Sequence, residues 1–145
     1  MLLKGGAMQK SVLVLIVFIF TSTASIAGEV RFIANQSVPE FVISKEDVSE
    51  IFLGIRVQWS DKTKIKFVLN GDETSHNALM KKYIKKSPSQ FKYYWRNMLY
   101  TGKGAVPKTF DSVDDLIKYV QSTEGAISYI DSTVKADNVK MISVK

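Results

Sequence analysis

Cysteine is absent from the 145 residues, and that absence removes several chemistries at once. No disulfide can form, no thiolate can hold zinc or an iron–sulfur cluster, no thiol can act as nucleophile, and no cysteine can carry a lipid anchor. Histidine is nearly absent too. With His76 alone the chain cannot build a multi-histidine metal site or run a two-histidine mechanism. Three prolines and eight glycines are too few for a fibrous or linker-like chain. Apolar residues are not scarce: 46% of the chain is hydrophobic and 11% aromatic, which excludes a disordered composition. The length supports one domain.

Charge is sparse at the start. Lys4 and Lys10 are the only charged residues before Glu29. An apolar run from Val12 to Phe20 follows, and then small residues, with Ser25 and Ala27 placed for a signal peptidase cutting before Gly28. Residues 1–27 therefore read as a signal peptide, with Met8 as an alternative start, and residues 28–145 as the single domain. The apolar run is about half of the roughly 20 residues a spanning helix needs, so cleavage is expected rather than anchoring. Residues 28–145 number 118 and carry 18 basic and 14 acidic side chains, a net +4. A soluble periplasmic location is the expectation. Nucleic acid is not expected as a partner of an exported chain that lacks a long basic run. Lys81-Lys82 and Lys85-Lys86 read as a solvated face, with a mild preference for anions as the sharper alternative.

Helix and strand signals alternate along the rest, which argues for an α/β layer structure. Strands are expected at Val30–Ala34, Ile65–Leu69, Ala126–Ile130 and Val139–Val144, the last with Met141 and Ile142 on opposite faces. Helices are expected after Ser44 (Val48, Ile51 and Phe52 inward, stopped at Gly54), from Thr74 or Ser75 (Ala78, Leu79, Tyr83 and Ile84 inward), after Ser87-Pro88, and after Ser112. Phe91, Tyr94, Trp95, Met98 and Leu99 recur at helical spacing, and the aromatic group Phe91, Tyr94, Trp95 and Tyr100 reads as core, with stacking on a ligand as the alternative. Val57–Trp59 reads as a short extended piece, and Thr101–Pro107 must be a loop. About four strands and four helices result.

Catalysis finds little to work with. Ser, His and Asp occur without a nucleophile elbow. His76 falls early in a helix, where it is expected to face solvent. The carboxylate pairs Glu46-Asp47 and Asp114-Asp115 sit in first helical turns, where acids favour the helix dipole. The loop Thr101-Gly102-Lys103-Gly104 lacks the spacing of a P-loop. No enzyme, metal or cofactor is expected. The turn Asn70-Gly71-Asp72-Glu73-Thr74-Ser75 is different, because it follows a strand and opens a helix. Amides at a helix start point outward and attract anions, and the Thr74 and Ser75 hydroxyls could add donors. The alternative is that one of those hydroxyls simply caps its own helix.

Several segments form a string: Glu50-Ile51-Phe52-Leu53-Gly54, then Trp59, then Ser89-Gln90 with Tyr94-Trp95, then Tyr100-Thr101-Gly102-Lys103-Gly104 with Pro107, then Thr123-Glu124-Gly125-Ala126-Ile127-Ser128-Tyr129. Over Val30 to Val144 the chain resembles the phosphate-binding protein of the phosphate ABC transporter, in particular its short PBP-like relatives. The resemblance implies an α/β fold, one lobe of a periplasmic-binding-protein fold with a mixed sheet of about four strands flanked by helices. Full members have two lobes that close on phosphate; this chain resembles one. It also implies that the family's Arg-Ser-Asp-Gly-Ser-Gly-Thr-like phosphate loop corresponds to Asn70–His76. Asp72 keeps the acid and Thr74 a hydroxyl, Asn70 stands where the arginine would be, and Glu73 adds a negative charge. The expected ligand residues are Asn70, Gly71, Asp72, Thr74 and Ser75. The expected partners are phosphate or a similar small oxyanion, a membrane transporter or sensor, and a second lobe from another copy or another protein. The rival expectation is a lobe without ligand that docks on the membrane partner.

Overall fold

A short, mostly apolar run makes Val30–Ala34 a strand, β1, and the computed structural model, which describes residues 28–145, puts it at the centre of a sheet. In chain order there follow β2 (Val42–Ile43), α1 (Lys45–Phe52), β3 (Lys66–Phe67), β4 (Leu69–Asn70) and α2 (Glu73–Leu79). Helix α2 runs into a π-helical turn (Met80–Ile84), and then come α3 (Pro88–Tyr100), β5 (Thr109–Phe110), α4 (Val113–Ser122), β6 (Ala126–Asp131) and β7 (Lys140–Val144). The signal-peptide reading of residues 1–27 lies outside the described residues.

Five strands form one mixed sheet in the order β2-β7-β1-β6-β3, with β4 and β5 as a separate parallel pair. Strand β1 is antiparallel to both β6 and β7, while β2 joins β7 and β3 joins β6 in parallel. Period-2 alternation then sorts the core. Phe32, Ala34, Ile127 and Tyr129 face α1, α2 and α3 through Phe52, Leu79, Phe91 and Trp95. Ile33, Ala126 and Ile130 face α4 through Leu116 and Val120. Both faces of the sheet are covered, which is why Ala126–Ile130 is buried without a break.

The helix starts follow the capping residues. Ser44 and Asp47 exchange side-chain and backbone hydrogen bonds at 2.9 and 3.0 Å, and Ser87 and Gln90 do so at 2.9 and 3.1 Å. Other expectations need correction. The strand expected over Ile65–Leu69 is two strands, because the chain changes partner at Val68: Val68 N donates to Ile127 O, and Leu69 N to Lys108 O. Strands β2 and β5 were not expected, since two residues carry no readable period. Leu99 and Tyr100 follow the helical spacing of the core residues but are 51% and 81% exposed, because α3 packs through Phe91, Trp95 and Met98 and these two lie off that face. Met141 and Ile142 lie on opposite faces as expected, 40% and 5% exposed.

Candidate functional site

Strands β4 and β5 run parallel and end side by side, and each leads within three residues into a helix, α2 or α4. The carboxyl ends of parallel strands are where α/β folds place ligands. The turn between β4 and α2 is fixed from beneath. Asn70 is buried; its Nδ2 donates to Tyr129 O at 3.1 Å and its Oδ1 accepts from Asp72 N at 2.9 Å. Gly71 N donates to Phe110 O at 2.8 Å. A Cβ at Gly71 would stand 2.7 Å from Asp111 Oδ1 and 2.9 Å from Phe110 O, so only glycine lets the two turns approach this closely.

Helix α2 begins at Glu73, next to the expected start, but its cap is neither expected hydroxyl. Asp72 Oδ2 accepts from Ser75 N at 2.9 Å and from Ser75 Oγ at 2.7 Å. A carboxylate outcompetes a hydroxyl for the amide because the bond is charge-assisted. The Ser75 hydroxyl is therefore buried and already donating, while Thr74 stands exposed on the first turn. Asn70, Asp72, Thr74 and Ser75 come together along a groove of about 380 Å³ that Val113, Asp131 and Thr133 complete. Gly71 lines the neighbouring cavity instead. That cavity, of about 500 Å³, has apolar walls from Leu69, Phe91 and Trp95, with Glu73, His76 and Asp111 among its polar groups.

His76 does not face solvent freely as expected. Its Nδ1 meets the Tyr129 hydroxyl at 2.8 Å, its ring packs edge-on against Phe91 with centroids 5.9 Å apart, and burial lowers its pKa, so it is held neutral. Burial pushes the Tyr129 phenol well above its ordinary value. Asp131 is held below the usual carboxylate range, chiefly by hydrogen bonds from Thr133 Oγ1 and N. Asp72, Glu73 and Asp111 thus put three carboxyl groups around one turn. Among the described residues, no group of three or more His, Asp or Glu converges as a metal cluster. The chain order hid Asp111, His76 and Tyr129 as a group. The only sequence signal was that Asp72 and Asp111 each fall just before a helix start.

The quoted sequence strings also converge, but as packing. The Trp95 ring lies between Gly54, where a Cβ would stand 2.7 Å from it, and Gly104, where the distance is 3.2 Å. Trp95 Nε1 donates to Phe52 O at 3.2 Å and the Tyr94 hydroxyl to Leu53 O at 2.7 Å. Trp59 Nε1 donates to Gly125 O at 3.0 Å. These strings lock α1, α3 and the start of β6 together.

A profile described as a PBP superfamily domain matches residues 20–143. The chain belongs to the PBP superfamily. No curated protein matches it. Among solved structures, this PBP domain is similar to a Clostridium perfringens protein of the phosphate ABC transporter substrate-binding type with bound phosphate, at TM-score 0.60 and 16% identity, over 82% of this chain and 47% of that one. It is also similar to PstS from Borrelia burgdorferi, at TM-score 0.61 and 16% identity over 80% and 47% of the two chains. An ABC-type phosphate transport receptor from Vibrio cholerae aligns at TM-score 0.53 and 15% identity, over 82% and 48%. The PBP domain therefore spans about half the length of these structures, and the likeness is one of fold.

Proposed function

We propose that this chain is an exported, single-lobe PBP module that takes phosphate or a similar small oxyanion at the turn from β4 into α2 and serves a membrane transporter. The observation that supports it is the placement of Asn70–Ser75 at the paired ends of parallel strands, where two helices begin. The exposed Thr74 hydroxyl and the amides of Glu73 and Thr74 are the donors, the Ser75 amide being taken by Asp72, and Asn70 and Gly71 set their position. Asp72, Glu73 and Asp111 repel a dianion, but their oxygens accept a hydrogen bond from a protonated one. The module accordingly prefers the singly charged form and binds weakly. This is binding chemistry, with the half-buried His76 ring engaged at Nδ1 by the Tyr129 hydroxyl.

A second reading has its own observation. Two of the groove's hydroxyls, Ser75 Oγ and Thr133 Oγ1, are already committed to the carboxylates of Asp72 and Asp131. An edge so occupied suits a partner protein or a second lobe, from another copy or another chain, better than a free anion. Calorimetry and thermal shift with inorganic phosphate at low ionic strength separate the two. The oxyanion reading expects heat that grows from about pH 8 to about pH 6 and is lost in Thr74→Val. No heat and no shift up to millimolar phosphate retires that reading and leaves docking, which crosslinking in an exported fraction then tests.

A further inference from the structure

Between Glu73 and Asp111 the chain carries eight basic residues, from Lys81 to Lys108, and no acidic one. This segment forms the π-helical turn, α3 and the loop that follows. Among the described residues the ion pairs join Arg56 to Glu40 and Asp47, on another part of the fold, so none of the eight cations is paired that way. Helical spacing sorts the outer surface of α3 into two adjoining stripes. One runs Gln90, Tyr93, Asn97, Tyr100; the other runs Lys92, Arg96, Leu99, with Lys103 beyond the helix end. All are exposed, and the apolar members unusually so: Tyr93 is 69%, Leu99 51% and Tyr100 81% exposed. Lys85 and Lys86 border the same face, lining a shallow groove with Gln90, Tyr93 and Asn97. Lys85 closes the π-helical turn in the left-handed conformation, at φ 60°.

We propose that this face docks on an anionic phospholipid surface. Cations without carboxylate partners supply the attraction, each worth most within a Debye length of the headgroups. The tyrosines supply what charge alone does not: a ring that sits among acyl chains and headgroups with its hydroxyl in water. Leu99 adds an apolar contact between them. The inner face of α3 stays in the core through Phe91 and Trp95, so docking requires no unfolding. The proposal stands apart from the oxyanion reading, whose residues lie outside this segment.

The test is vesicle flotation with the full chain, so that whatever residues 1–27 contribute is common to every sample. Vesicles of phosphatidylglycerol with phosphatidylethanolamine are compared with vesicles of phosphatidylcholine, at low and high sodium chloride. The chain should prefer the anionic vesicles and lose that preference in high salt. Each base is worth up to about fivefold in partitioning, so the combined K86Q, K92Q, R96Q and K103Q variant should weaken it at least about tenfold. Tyr93→Ser with Tyr100→Ser should weaken it severalfold and leave the salt dependence unchanged. Circular dichroism checks each variant, and the smaller K92Q/R96Q pair, both at exposed sites, replaces the fourfold one if its spectrum changes. Equal partitioning to both vesicle types, or full retention by the base variants, overturns the proposal. So does release by inorganic phosphate beyond that by chloride at matched ionic strength, which would mark a free-anion site. Capture by duplex DNA as tight as by vesicles and indifferent to the tyrosine pair would mark a general polyanion surface instead.

Discussion

Replacing Asp72 separates the two things its carboxylate does. Oδ2 takes the Ser75 amide at 2.9 Å and the Ser75 hydroxyl at 2.7 Å. In Asp72→Ala the first turn of α2 loses its cap, about 1 kcal/mol. The buried hydroxyl also loses its acceptor, about another 1 kcal/mol. Unfolding free energy should fall by about 2 kcal/mol and the thermal midpoint by about 6–10 °C for a domain of this size. Asp72→Asn keeps an acceptor oxygen, and asparagine caps as well as aspartate, so it should cost less than about 1 kcal/mol. An incoming oxyanion meets the charge, not the cap. Removing a unit charge from about 4 Å away in water is worth about 1 kcal/mol, so at about pH 8, where phosphate is mostly the dianion that Asp72 repels, Asp72→Asn should bind it about fivefold more tightly than the parent. Urea unfolding followed by tryptophan fluorescence gives the first quantity and calorimetric titration with phosphate the second. A loss below about 0.5 kcal/mol in Asp72→Ala refutes the capping account. Unchanged or weaker phosphate binding in Asp72→Asn at about pH 8 refutes this turn as the anion's seat.

Two further predictions concern stability. Gly102 and Gly125 share a left-handed backbone, at φ +69° and +74°, but an added Cβ meets nothing within 4 Å at Gly102 and stands 2.2 Å from Lys64 O at Gly125. Gly102→Ala should cost about 1 kcal/mol. Gly125→Ala should cost about 3 kcal/mol, since the bonds from Lys66 N and Trp59 Nε1 to Gly125 O are also disturbed. Equal urea midpoints for the two variants would sink the close-approach argument. His76 is held neutral by burial, below its ordinary 6.5. Between its folded pKa and 6.5 the unfolded chain binds more protons, so stability rises with pH there and is lost as acid is added below 6.5. His76→Gln should flatten that part of a stability-against-pH curve. A wild-type curve already flat between about pH 7 and about pH 5 would contradict the burial account.

Much of the scaffold was legible from residue order because its causes are local. Ser44 with Asp47 and Ser87 with Gln90 announce helix starts through contacts three residues apart, and Val30–Ala34 and Ala126–Ile130 announce strands by being apolar and β-branched. The site was legible only in part. The turn at Asn70–Ser75 stood out because a strand met a helix there, but which atom caps the helix depended on a contest between Asp72, Thr74 and Ser75 that propensity cannot rank. Asn70 offered itself as a ligand donor and is a buried strut, because Tyr129 O lies beneath it, 59 residues away along the chain.

The chain's order alone determined the α/β alternation, the exclusion of thiol and multi-histidine chemistry, and the acid-free basic run from Lys81 to Lys108. Each depends on which residues are present and on neighbours a few positions apart. Tertiary structure decided what pairing across long distances decides. It split one apolar run at Val68 between two partners, brought Asp111 beside Gly71, turned His76 against Tyr129, and left Tyr93, Leu99 and Tyr100 outside the core. A helical period says which residues share a face; only the packing of that helix on the sheet says which face is covered.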